Sequence, residues 1–130
     1  MRALAPGVWV SPQLPLEALP VVAGMGVRRV INNRPDDEEP GQPSSAEMEA
    51  AARAAGLDYL WIPVRGLPAS GEAAAVGEAL DDGAPTLLFC RSGTRSAAAW
   101  AMARCARGDD PAAVRAAAAD AGYDLARLPL

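Results

Sequence analysis

LLFCRSGTRSAAAW, running from Leu87 to Trp100, decides how the rest of the chain is read. With the residues just before it, APTLLFC has the length and the turn-bounded edges of a short, fully buried strand. From Ser96 to about Ala106 the alanine-rich sequence reads as a helix, so Cys90 stands where a strand becomes a helix. A strand that ends in cysteine and passes through a tight, Gly93-containing loop points several backbone N–H groups into one small concavity. The positive end of the following helix dipole enters the same concavity. An anion is the natural occupant, and the thiolate of Cys90 is itself an anion. Arg91 and Arg95 keep the thiol ionised and bind what it attacks. The chain contains no histidine, so electrostatic activation is the one route to a reactive thiol.

Working outward, Val8-Trp9-Val10 is a short β-prone run, and a helix is expected from about Glu17 to Met25 with Pro20 in its first turn. GVRRVINN reads as a strand on its β-branched Val27, Val30 and Ile31. It ends in the acidic, proline-rich loop RPDDEEPGQPSS. Ser44 and Glu47 have capping-box spacing ahead of a helix over Ser45–Ala55, which Gly56 terminates. LDYLWIPV is the third strand candidate, and Glu72–Asp81 a further helix. DDPAAVRAAAADAG supplies the last helix, with Asp110 as cap, Pro111 in its first turn and Gly122 as its stop.

Strands alternating with helices of about ten residues imply an α/β architecture, a three-layer sandwich around a mostly parallel sheet of about four strands. At 130 residues the chain is expected to form a single domain spanning 1–130. In such sheets the site lies beyond the carboxyl ends of the strands. Arg34, Arg65, Arg91 and Arg95 could therefore share one cleft.

Composition narrows the chemistry. All twelve cations are arginines and the net charge is −4, which argues against a nucleic-acid partner because the phosphate backbone calls for a basic face. No histidine means no Ser-His-Asp or Cys-His catalysis and no His-containing zinc site. Two cysteines make a poor metal site, so neither metal nor cofactor is expected. No stretch has the apolar length of a signal core or membrane span, and the expected location is cytoplasmic, with free thiols.

CRSGTRS resembles the active-site loop of single-domain rhodaneses and is similar to the phosphate-binding loop of cysteine-dependent phosphatases. Together, SPQLP, VINNRPDDEEPGQPS, YLWIPV and CRSGTRSAAAW resemble the bacterial DUF442 family, the phosphatase-like domain of beta-lactamase-hydrolase-like proteins. That resemblance implies the α/β sandwich of dual-specificity phosphatases. Cysteine phosphatases carry His-Cys, five residues, then Arg; here Phe89 precedes Cys90, four residues separate it from Arg95, and Ser96 holds the longer spacing's arginine position. The VRGLPASG loop also has no aspartic acid to serve as general acid, leaving Glu72, Asp36 or Asp37 as substitutes.

Rhodaneses share the shorter spacing, and persulfide transfer needs no general acid. The leading expectation is therefore a sulfurtransferase. Cys90 takes a sulfane sulfur from a small anionic donor, holds it as a persulfide and passes it to a thiol acceptor. A phosphatase acting on a phosphorylated substrate through a phosphocysteine is the alternative, and a non-catalytic anion-binding or redox-sensing module is a third reading. Cys90 and Arg95 are the expected catalytic pair. Arg91, Ser92, Gly93, Thr94, Ser96 and Arg34 are the expected anion-binding set. Ser96 could also cap its helix, Arg34 could instead form an ion pair with the Asp36–Glu39 run, that run otherwise reads as a solvated loop, and Cys105 reads as core.

Overall fold

Thr86–Phe89 is buried at every position, the signature of a strand covered on both faces. The computed structural model describes residues 1–130. Five strands are present: β1 (Arg2–Ala5), β2 (Val8–Ser11), β3 (Arg29–Asn32), β4 (Asp58–Trp61) and β5 (Thr86–Phe89). They form one sheet in the order β1-β2-β5-β3-β4. All neighbours pair in parallel except β1 with β2.

The sheet thus has one strand more than expected. RALA carries no β-branched or aromatic residue, so β1 gives little local signal. It forms because Pro6 and Gly7, the latter at φ +76°, turn the chain back to pair Arg2 with Val10 and Ala3 with Trp9.

The helices are α1 (Leu19–Gly24, entered through a 3₁₀ turn at Leu16–Ala18), α2 (Ser45–Ala54), α3 (Ser70–Leu80), α4 (Thr94–Ala106) and α5 (Pro111–Asp120). Their ends follow the expected caps closely. Ser44 Oγ accepts from Glu47 N–H while Glu47 Oε1 accepts from Ser44 N–H, and Asp110 accepts from Ala112 N–H. The exception is α4. Its cap is Gly93 at φ +97°, and Ser96 lies inside the first turn.

One face of the sheet packs Val30, Tyr59, Leu87 and Phe89 against Leu19, Val22, Met48 and Ala52 of α1 and α2. The other packs Ile31 and Leu88 against Val76 of α3 and Ala99 of α4. A third cluster seats α5 and the carboxyl-terminal Leu125 and Leu128 on Ala97, Trp100 and Ala101 of α4 and on Leu4 and Val10. Leu87, Leu88 and Phe89 have no exposed surface, and burial of this kind stabilises by about 1.5–3 kcal/mol per side chain. The central strand, whose end carries Cys90, is therefore anchored from both sides.

Candidate active site

The parallel register brings three strand ends level. Asn32 at the end of β3 stands opposite both Phe89 and Trp61. The backbone continues that alignment past the strands, with Asn33 N–H donating to the Phe89 carbonyl at 2.8 Å and Val64 N–H to the Asn33 carbonyl at 2.9 Å. The side chain of Asn33, buried without exposed surface, ties the same three segments. Its Nδ2 donates to the Ile62 carbonyl at 2.9 Å, and its Oδ1 accepts from Ser96 Oγ at 2.7 Å. Asn32 performs a similar task one residue earlier. It donates to Tyr59 Oη at 3.0 Å and accepts from Arg34 N–H at 2.8 Å.

On this frame Cys90 is fully buried, and its Sγ accepts a hydrogen bond from Gly93 N–H at 3.1 Å. The loop conformation requires glycine at 93. A Cβ there would meet Tyr123 Oη at 2.1 Å, in a backbone conformation that disfavours any side chain. Ser92 Oγ donates to Thr94 Oγ1 at 3.1 Å and accepts from Thr94 N–H at 3.3 Å, keeping both hydroxyls within the loop.

Arg95 reaches back across the loop. Its Nη1 donates to the Val64 carbonyl at 2.8 Å and to Glu38 Oε2 at 2.7 Å, and its Nη2 to Glu38 Oε1 at 2.8 Å. The guanidinium pKa is raised, first by the Glu38 hydrogen bonds and, against the cost of burial, by the charge of Cys90.

Arg34, only 3% exposed, is held at each of its three side-chain nitrogens. Nε donates to Glu38 Oε1 at 2.9 Å, Nη1 to Gln13 Oε1 at 3.1 Å and Nη2 to Glu39 Oε1 at 2.6 Å. Arg91 points outward, 64% exposed, with Nε 3.2 Å from Glu39. Arg65 is exposed on the loop after β4.

Cys90, Arg95, Arg34 and the Ser92–Thr94 loop therefore converge, with Arg91 on the rim. Ser96 faces the interior and braces Asn33. The acidic run is exposed from Asp37 to Glu39, and the ion pair expected between it and Arg34 is present. A buried guanidinium such as Arg34 needs a countercharge, and Glu38 and Glu39 supply it while linking Arg34 to Arg95 and Arg91. Nothing local in the sequence distinguishes Glu38 from its acidic neighbours.

None of the expected acid substitutes makes a hydrogen bond to the sulfur, which accepts from Gly93 N–H. Glu72 Oε1 accepts from Ala69 N–H at 2.7 Å and Asp36 Oδ1 from Ser45 N–H at 2.7 Å. Asp37 lies at φ +61°. Glu38 is the carboxylate beside Arg95, and its pKa is lowered to about 2, foremost by its hydrogen bonds to Arg95. At neutral pH it is an acceptor and has no proton to donate.

Its ordinary value is 4.5, so its stabilising effect is complete above that pH and is lost as pH falls toward 2. Glu38→Gln should therefore melt below the wild type at neutral pH, by a few degrees for each ~1 kcal/mol lost. The difference should close between about pH 4.5 and 2. Melting temperatures of both proteins across that window check this; a gap independent of pH would remove Glu38 from the linkage.

Cys90 thus lies covered at the amino terminus of α4, with Arg95 and its Glu38 partner on the same loop side. No helix is long and apolar enough to cross a membrane, and no cluster of three or more metal-ligating side chains is present. Residues 1–107 match the family described as the beta-lactamase hydrolase-like protein, phosphatase-like domain. A beta-lactamase hydrolase-like protein of Agrobacterium fabrum is 38% identical over 90 residues, covering 67% of this chain and 21% of that protein. The chain therefore spans about a fifth of the length of the curated relatives it matches. Among solved structures, a provisionally assigned phosphatase from Neisseria meningitidis is 30% identical, with a TM-score of 0.82 over 95% of this chain and 89% of that one. Human DUSP28, 22% identical with a TM-score of 0.62 over 93% and 82% of the two chains, shares the dual-specificity-phosphatase-like fold.

Proposed function

Since the chain belongs to the phosphatase-like domain family of beta-lactamase hydrolase-like proteins, we propose that it is a cysteine-dependent phosphatase-like enzyme. Cys90 attacks the phosphorus of a small phosphate monoester, the leaving oxygen departs with the bonding pair, and water then hydrolyses the phosphocysteine. The observation that carries the reading is the placement of Cys90 Sγ at the amino terminus of α4, on the Gly93 N–H, within electrostatic reach of Arg95. This arrangement suits a thiolate nucleophile and the oxyanions of the group it attacks.

The relatives favour phosphoryl chemistry over the sulfur transfer that the loop spacing put first. The ionised Glu38 narrows the substrate class. With no protonated acid beside the loop, the leaving group must be stable as an anion, so aryl phosphates react and alkyl phosphates react poorly. Cys90 is covered, and Glu38 takes one N–H from each Nη of Arg95, which leaves the Nε N–H and the second Nη2 N–H for an incoming oxyanion.

Sulfane-sulfur transfer remains a second reading on one observation: four residues separate Cys90 from Arg95 and no acid serves the loop, features that persulfide exchange tolerates. In that reaction Cys90 thiolate attacks the outer sulfur of a persulfide or thiosulfate donor. It displaces a thiolate or sulfite with the electron pair, and a thiolate acceptor later takes the sulfur.

Intact mass after acid quench separates the two. With p-nitrophenyl phosphate, the first reading expects a phosphoryl adduct on the Cys90 peptide and steady release of nitrophenolate. With thiosulfate or glutathione persulfide, the second expects a single added sulfur that cyanide removes. An added sulfur without any phosphoryl adduct or nitrophenolate release would overturn the phosphatase reading.

A further inference from the structure

The hydrogen bond that Cys90 accepts comes from a peptide unit whose other end is also occupied. The Ser92–Gly93 peptide donates its N–H to Cys90 Sγ at 3.1 Å, and its carbonyl accepts from Tyr123 Oη at 3.1 Å. Tyr123 lies just beyond α5, outside the residues 1–107 that match the family. The same phenol fills the space that a Cβ at Gly93 would need, 2.1 Å from its ideal position.

We propose that Tyr123 is a positioning residue for the nucleophile, a clasp that fixes the Ser92–Gly93 peptide with its N–H turned to the Cys90 sulfur. It rests on the reading of Cys90 as the nucleophile and extends the machinery to the carboxyl-terminal segment.

Three features support the assignment. A peptide flanked by a glycine in the left-handed region, with φ +97°, flips at low conformational cost. A flip would point the Ser92 carbonyl at the thiolate, so an unclasped loop would be repelled by the charge it must hold. The clasp opposes the flip because the carbonyl would have to leave the phenol. It also polarises the peptide in the favourable sense, since a carbonyl that accepts a hydrogen bond makes its N–H a stronger donor.

The phenol is suited to the task at neutral pH. Burial and then the nearby Cys90 charge push its pKa above the ordinary value, against an opposing effect of Arg2, so the O–H stays a donor. Finally, Tyr123 is anchored independently of the loop. Its N–H donates to the Ala118 carbonyl at 2.8 Å, and its ring packs on the cluster that holds Leu125 and Leu128.

Tyr123→Phe removes one oxygen and keeps the ring. Two measurements read its effect without turnover: the rate at which iodoacetamide alkylates Cys90 at pH 7, followed on the Cys90 peptide so that Cys105 does not contribute, and the ¹H–¹⁵N resonance of the Gly93 amide. Loss of one hydrogen bond at the loop should slow alkylation roughly two- to tenfold and move the Gly93 amide proton upfield.

An unmoved Gly93 resonance overturns the proposal, whatever the alkylation rate does. So does a fall in melting temperature with both readouts unchanged, which would assign the phenol to packing alone. Failure of the phosphatase reading is visible separately, because it appears as absent phosphoryl adduct in the wild type while the ratio of variant to wild-type thiol reactivity still reports the clasp.

Discussion

Cys90→Ser should lower turnover of an aryl phosphate by at least about 10³-fold while leaving the melting temperature within a few degrees of wild type. The asymmetry follows from what the site supplies. The serine oxygen can still accept from Gly93 N–H, the bond that the sulfur accepts at 3.1 Å, and it is the smaller atom in a fully buried position. The fold therefore loses little. The chemistry loses its nucleophile, because a serine hydroxyl must surrender a proton to a base before it attacks, and the chain has no histidine. Glu38, held ionised by Arg95 and Arg34, is the carboxylate paired with Arg95, but its depressed pKa makes it a poor base. A loop built from amide donors and guanidinium groups activates a thiol by favouring its anion. It cannot do the same for an alcohol whose ionisation lies far higher. Steady-state rates on p-nitrophenyl phosphate, with the adduct sought by mass, check the expectation. Turnover within tenfold of wild type would remove Cys90 from the mechanism, whichever group is transferred.

Much of this is legible in the sequence. APTLLFC announced a buried strand because it is a short apolar run between turn residues, and the observed β5 is buried throughout. Ser44, Asp110, Gly56 and Gly122 announced helix ends because caps are local chemistry, readable a few residues at a time. The failures are nonlocal. β1 exists through its pairing with β2 rather than through RALA's own preference. Ser96 has the sequence of a cap or anion ligand, yet Gly93's left-handed backbone starts the helix earlier and turns Ser96 inward onto Asn33. Glu38 acquires meaning only when the loop after β3 folds over Arg95, 57 residues away. Tyr123 reaches Ser92 across 31 residues. Spacing rules reach one turn of helix or one strand, so contacts of that span leave no periodic trace.

The same geometry sharpens the separation of Arg95 from Arg91. Arg95→Lys should reduce kcat/KM by about 10²–10³-fold, the usual cost of removing a donor from a preorganised oxyanion site, whereas Arg91→Lys should change it by less than about threefold, as expected for an exposed ion pair. Both substitutions keep a positive charge, so the contrast isolates shape and placement. Arg95 makes three hydrogen bonds at once, to the Val64 carbonyl and both oxygens of Glu38, and these set the plane of a rigid fork. Lysine offers a point charge on a flexible stem and cannot hold that plane while meeting a planar or tetrahedral anion at two points. Arg91 is 64% exposed and touches Glu39 through one nitrogen, a geometry that lysine reproduces at small cost. Glu38 keeps Arg34 as partner in the Arg95 variant, so the loop remains neutralised and the loss falls on catalysis rather than folding. Equal losses for Arg91→Lys and Arg95→Lys would mean that net charge alone draws the substrate, and the bidentate role assigned to Arg95 would fail.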